Sequence, residues 1–176
     1  MKTLLTGKDM GRTVERLAYE IMERHGENPG LVMVGIQRRG VEIAARIKAI
    51  LNQRTGREIL LGKLDINLYR DDWTRIETTP TINRTDIPFS IDGTSVVLVD
   101  DVLFTGRTTR AALEAILDFG RPNRVELLVL VDRGHRELPI QADFVGKTVE
   151  TTREDQVDVL VRERDGEDRV VLKAGR

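Results

Sequence analysis

Val96-Val97-Leu98-Val99-Asp100-Asp101-Val102-Leu103-Phe104-Thr105-Gly106-Arg107-Thr108-Thr109 is the stretch that decides the architecture. Four consecutive valine and leucine side chains read as a strand buried on both faces, as in a parallel sheet. Two carboxylates end that run. A short loop with Thr105 and Gly106 then opens into helical spacing, Ala111, Ala112, Leu113, Ala115, Ile116 and Leu117 falling on a segment from Arg107 to Phe119. Gly120 and Pro122 stop the helix.

Working outward, the same unit recurs. Leu31 to Ile36 is a short apolar run, and Gly40 to Asn52 returns to helical spacing through Val41, Ala44, Ala45, Lys48 and Leu51. Val125 to Val131 is another apolar strand. Ahead of these, Met10, Val14, Leu17 and Ile21 form the stripe of an amphipathic helix over Asp9 to His25, with Gly26 after it. Ile59 to Tyr69 alternates from Leu64 onward and predicts a strand. Arg70 to Ser90 is polar, contains Pro80 and Pro88 and has no period, which is long for a plain connection and marks a functional or disordered loop. The tail predicts a hairpin, Asp158 to Val161 and Val170 to Leu172, bent at Asp165-Gly166. Strands separated by helices in this order predict an α/β fold, a mainly parallel sheet flanked by helices on both faces.

Composition narrows the function. The 176 residues are one domain's worth, 1–176, with 40% hydrophobic and 32% charged side chains, an ordinary globular balance. There is no cysteine, so disulfides and thiolate-bound metals are excluded. No apolar run reaches membrane-spanning length and none follows Met1, which leads us to expect a cytoplasmic protein without a membrane partner. With 28 basic against 29 acidic residues the chain is no polycation, and 4% aromatic content argues against RNA binding by base stacking. A local basic face that contacts phosphates stays open.

The chemistry resides in the opening stretch. Backbone N–H groups at the start of the Arg107 helix, with the hydroxyls of Thr105, Thr108 and Thr109, suit a phosphate at the positive end of a helix dipole. Asp100 and Asp101 suit ribose hydroxyls. The plain alternative is a capped strand end with no ligand; a phosphoacceptor aspartate or a Mg²⁺ carboxylate pair is also conceivable, but neither explains the Thr-Gly-Arg-Thr turn. His25 and His135 have no partner at metal-ligand or triad spacing, so neither is assigned to catalysis.

Asp100 to Thr109, with Val102, Leu103, Phe104, Gly106 and Arg107 between, resembles the site for 5-phosphoribosyl-1-pyrophosphate (PRPP) in the type I phosphoribosyltransferases. Three further stretches, Leu64-Asp65-Ile66-Asn67-Leu68-Tyr69-Arg70-Asp71-Asp72, Thr85-Asp86-Ile87-Pro88-Phe89 and Leu130 to Ile140, resemble the PyrR family of pyrimidine operon regulators. The likeness covers nearly the whole chain. It implies the type I fold with a small hood, at about 132–156, and a flexible lid loop, at about 70–90. It also implies a uracil phosphoribosyltransferase that forms UMP and pyrophosphate from uracil and PRPP, with Mg²⁺ carried by PRPP. A homo-oligomer that binds pyrimidine-operon leader RNA in response to UMP, and so regulates transcription attenuation, is implied as well.

The resemblance also implies roles residue by residue. Gly35 to Gly40 would be the pyrophosphate loop, with Arg38, Arg39 and Gly40 in contact; Arg38 stands where relatives usually have threonine. Arg70 would join Asp100, Asp101 and Arg39 in catalysis, and Arg84 would reach the pyrophosphate. Val131, Asp132, Arg133, Val145 and Gly146 would bind the base. Arg24, His135, Arg136 and Lys147 would form the RNA face, from which this chain departs at Gln141, where arginine is common, near Tyr19, where histidine is common, and at Glu15, which adds negative charge. Two rival readings follow: an RNA regulator with vestigial transferase activity, and a PRPP-dependent transferase for another base.

Overall fold

The computed structural model describes residues 1–69 and 84–175. In chain order the elements are β1 (Lys2–Leu5), α1 (Gly7–His25), β2 (Leu31–Ile36), α2 (Arg39–Thr55), β3 (Leu60–Leu64) and β4 (Ser95–Leu103), followed by α3 (Arg107–Leu117), β5 (Arg124–Asp132), β6 (Phe144–Thr148), β7 (Gln156–Leu160), α4 (Arg162–Asp165) and β8 (Arg169–Lys173). Strands β3-β2-β4-β5-β6 pair in that order, all in parallel, and β1-β8-β7 form a small antiparallel sheet.

Side-chain alternation sorts the parallel strands onto two layers. Met33, Val97, Val99, Leu128 and Leu130 pack with Met10, Leu17 and Ile21 of α1 and Ile43 and Ile47 of α2. The alternate set, Val32, Val34, Val96, Leu98 and Val129, packs with Ala111, Ala112, Ala115 and Ile116 of α3. Ala111, Ala112, Ala115 and Ile116 turn α3 toward the sheet, and the short turn at 104–106 starts the helix just past the end of β4. Val157, Val159 and Val170 of the small sheet join the first layer and seat it beside α2.

Local chemistry sets the boundaries. Thr6 and Asp9 form a reciprocal capping box at α1, Asp9 N–H to Thr6 Oγ1 at 3.2 Å and Thr6 N–H to Asp9 Oδ2 at 2.9 Å. Three expectations need correction. β3 ends at Leu64 instead of running on from it, because Asp65 Oδ1 accepts the Asn67 N–H at 3.0 Å and turns the chain into a short 3₁₀ segment, Asn67–Tyr69. Asp100 and Asp101 lie inside β4, which continues to Leu103, and do not end it. The bend of the tail hairpin is a helical turn, α4, closed by Gly166. The sequence reading also overlooked β1 and did not recognise 144–148 as a strand.

Candidate active site

Parallel strands deliver their C-terminal ends to one edge, and the following loops build the site there. Between the ends of β2 and β4 is a cleft of about 310 Å³. Arg38 and Arg39 line it from one side, Asp100, Asp101 and Val102 from another, with Ile66 and Asn67 beyond β3 and Thr108 from α3.

The acids are held by backbone that follows them. Asp101 N–H donates to Asp100 Oδ1 at 2.9 Å, and Val102 N–H donates to Asp101 Oδ1 at 2.8 Å. Asp100 is only 7% exposed. Burial first, and the neighbouring Asp101 second, push its carboxyl well above the usual range.

Opposite the acids, α2 starts with Arg39 and Gly40. A β-carbon on Gly40 would stand 2.4 Å from Val99 O, so this helix start lies directly against β4. That closeness puts the Arg38-Arg39 loop across from Asp101. Arg39 is engaged in a two-point ion pair with Asp165, which holds the guanidinium more firmly protonated than usual.

The turn after β4 has Gly106 at φ +90°, a left-handed conformation that favours glycine. Thr105 Oγ1 accepts the Arg107 N–H at 3.3 Å. The segment after β5 straps this turn from outside. Glu137 N–H donates to Thr105 O at 2.9 Å, Arg107 Nε donates to Glu137 at 3.0 Å, and Arg136 Nη1 donates to Phe104 O at 2.9 Å. Thr108 borders the cleft, whereas Thr109 is 3% exposed and lines a separate recess with Leu98 and Pro139. Leu103 belongs to the core.

The expected base and RNA residues divide. Asp132 caps Gly134 N–H at 3.0 Å and pairs with Arg136 at 2.6 Å. Arg133 is 6% exposed, lies 3.9 Å over the Phe104 ring and donates to Thr152 O at 2.8 Å. Burial lowers the readiness of this guanidinium to hold its proton. Val131 is core. Val145 and Gly146 lie on β6 against α1, their carbonyls facing Arg16, away from the cleft. His135 Nε2 lies 2.7 Å from Thr151 O. Arg24 pairs with Glu126 at 2.6 Å and sits 4.6 Å over Phe144. Lys147 is exposed on β6. Arg84 is exposed, its carbonyl 3.4 Å from Gln37 Nε2. Arg70, and with it most of the 70–90 lid expectation, lies outside the described residues. Sequence reasoning placed Asp165 at a turn and Glu137 in the 130–140 stretch but missed their partners, because each meets its arginine only through the fold.

Residues 1–162 match the phosphoribosyl transferase domain family. The bifunctional protein PyrR of Thermus aquaticus is 54% identical over 169 residues, 96% of this chain and 93% of that protein. That of Elusimicrobium minutum is 48% identical over 171 residues, 97% of this chain and 96% of that protein. The chain belongs to the PyrR family of phosphoribosyltransferases. Its fold is the type I phosphoribosyltransferase fold. The hypoxanthine phosphoribosyltransferase of Trypanosoma cruzi superposes with a TM-score of 0.72 at 18% identity, covering 100% of this chain and 98% of that one. One from Staphylococcus aureus gives 0.68 at 22% identity, covering 99% and 92%. These two share the fold of the PyrR-family chain; at such identity they say nothing of its base. No described helix is long and apolar enough to cross a membrane.

Proposed function

We propose that this PyrR-family protein transfers the phosphoribosyl group of PRPP to uracil, giving UMP and pyrophosphate, and that it also binds pyrimidine-operon leader RNA in response to UMP. The observation that carries the transferase reading is the Asp100-Asp101 pair facing the Arg38-Arg39 loop across one cleft, with a helix-start turn beside it. The turn from Thr105 to Thr108 holds the 5-phosphate through backbone N–H groups. The carboxylates of Asp100 and Asp101 accept hydrogen bonds from the ribose hydroxyls. Uracil N1 then bonds to C1 as the bond from C1 to the pyrophosphate oxygen breaks, and the N1 proton passes to solvent. Positioning and the stabilisation of departing charge by Arg39 supply the catalysis.

Mg²⁺ carried by PRPP would keep its waters and take one or two carboxylates together with substrate phosphates, which the acidic pair lining the cleft could offer, and there it would supply charge neutralisation for the leaving group. The 132–140 segment, strapped to the phosphate turn, supports the reading of a hood that carries backbone groups toward the base.

For RNA, the support shifts toward α1 and β6. Arg24, His135 and Arg136 are engaged within the chain, whereas Lys147 is exposed, and both it and Arg12 act on Asp9. We place the protein in the cytoplasm, as a homo-oligomer; exposed Leu117 and Phe119 at the end of α3 support a covered face.

The test is incubation with Mg²⁺, PRPP and each of uracil, orotate, hypoxanthine and guanine. Pyrophosphate release with uracil supports the proposal, and release only with another base refutes the acceptor. Filter binding of a pyrimidine-operon leader hairpin with and without UMP tests the second activity. No retention in either condition refutes it.

A further inference from the structure

Arg39 lines the cleft, yet the loop that carries it does not hold its side chain. Its guanidinium pairs edge-on with Asp165, Nε to Oδ2 at 3.2 Å and Nη2 to Oδ1 at 2.8 Å. Asp165 comes from α4, past residue 162, where the match to the phosphoribosyl transferase domain ends. A two-point contact between an arginine and a carboxylate fixes the plane of the guanidinium as well as its position.

Asp165 is itself immobilised. Its Oδ2 accepts the Val161 N–H at 2.8 Å, and its own N–H donates to Val161 O at 2.7 Å. The turn around it is fastened to α2 by Arg164 to Glu42 at 2.8 Å and by Arg46 to Asp168 at 2.7 Å, with Arg46 also on Glu163. A chain of ion pairs thus runs along α2 and ends at its first residue, where the cleft begins. An isolated surface pair contributes little, but a partly buried network of this kind constrains geometry. A guanidinium has five N–H donors. The pair occupies the edge formed by Nε and Nη2, which leaves the Nη1 side for a second anion, and Asp101 already acts on Arg39 from across the cleft.

We propose that Asp165 is a positioning residue for pyrophosphate: by holding one edge of Arg39 it aims the other at the site of the leaving group, so the C-terminal hairpin completes the pyrophosphate site. This rests on the placement of Arg39 given under the proposed function. It makes α4 part of the machinery although no atom of α4 need touch substrate.

Asp165→Asn keeps the size of the side chain and an acceptor for Val161 N–H, while removing the charge and one of the two contacts to Arg39. Inorganic pyrophosphate with Mg²⁺, and UMP separately, are titrated by calorimetry into the full chain. The variant is expected to bind pyrophosphate about tenfold more weakly, the scale of one hydrogen bond to a charged group. UMP has no pyrophosphate and should bind as it does to the wild type. In the Arg39→Ala background, Asp165→Asn should have no further effect, since the group it positions is gone.

Weakening by Arg39→Ala but not by Asp165→Asn would overturn the positioning role and leave the placement of Arg39 intact, as would tighter pyrophosphate binding in Asp165→Asn. No effect of Arg39→Ala would overturn both. Equal losses for UMP and pyrophosphate, or additive losses in the double variant, would show that α4 serves folding alone.

Discussion

Asp100→Asn should make the protein more stable and less active, and the amount follows from the setting of the side chain. Asp100 is 7% exposed, and no cation pairs with it among the described residues. Burial, then the charge of Asp101, raise its carboxyl well above the ordinary value of 3.8. The native state therefore binds this proton more tightly than the unfolded chain. The stability contributed by the group is complete below 3.8 and is lost as pH rises through the raised native value, so ionised Asp100 costs folding free energy at neutral pH. Asparagine keeps the acceptor for the Asp101 N–H and can donate its own N–H to the Asp101 carboxylate. Removing an uncompensated buried charge at this price of one lost acceptor should gain about 1–2 kcal/mol, a fraction of the several kcal/mol that burial of an ion costs. For a chain of this size that is a rise in Tm of about 2–8 °C. Turnover should fall about a hundredfold, the scale of losing one group aimed at developing charge. Thermal melts by circular dichroism over a pH series, with UMP formation assayed beside them, read both effects. The gain should shrink toward pH 3.8 as wild-type Asp100 takes up its proton. An unchanged or lower Tm at neutral pH, or a gain that does not diminish in acid, would refute the reasoning.

Gly106→Val places a branched side chain at φ +90°, with its β-carbon 3.0 Å from Ile140 Cβ, and should cost about 1–2 kcal/mol in the melt. It should also raise the PRPP concentration needed for half-maximal rate; unchanged PRPP binding by calorimetry in the folded variant would exclude the phosphate turn. Arg136→Ala removes the partner of Asp132 and the donor to Phe104 O, so we expect a loss of about 2–3 kcal/mol and a higher KM for PRPP. A wild-type melting curve would show that the strap is dispensable. Gln141→Arg should tighten binding to the leader hairpin with UMP present and steepen the dependence of log K on log salt by about 0.7–0.9 per added phosphate contact, which filter binding at several salt concentrations measures. An unchanged slope would remove residue 141 from the RNA face.

The sheet and both layers were legible because parallel strands announce themselves as unbroken apolar runs; Val96 to Val99 and Val125 to Val131 could be little else. The turn that opens α3 was legible because its residues are consecutive. Leu64 and Ile66 alternate and are both buried, which suited a strand, but Asp65 turned the chain with a side-chain contact that periodicity does not register. β1 escaped because four residues, three of them ahead of any burial, carry too little pattern. Arg136, expected on the RNA face, also pairs with Asp132 and donates to Phe104 O, contacts that a single sequence could not show because they form only after β5 and the turn beyond β4 are brought together. His25 looked partnerless for the same reason: Glu126, 2.6 Å from it, lies across the fold on β5. Contacts of this range are set by topology, and a single sequence records only their endpoints.

The most direct test of the central claim follows labelled uracil into UMP, with pyrophosphate counted in the same reaction, in wild type and in Asp101→Asn. The account predicts Mg²⁺-dependent formation of UMP and pyrophosphate in equal amounts by the wild type, and a loss of both in a variant that melts like the folded protein. Wild-type turnover in Asp101→Asn, or pyrophosphate released with no UMP formed, would contradict it.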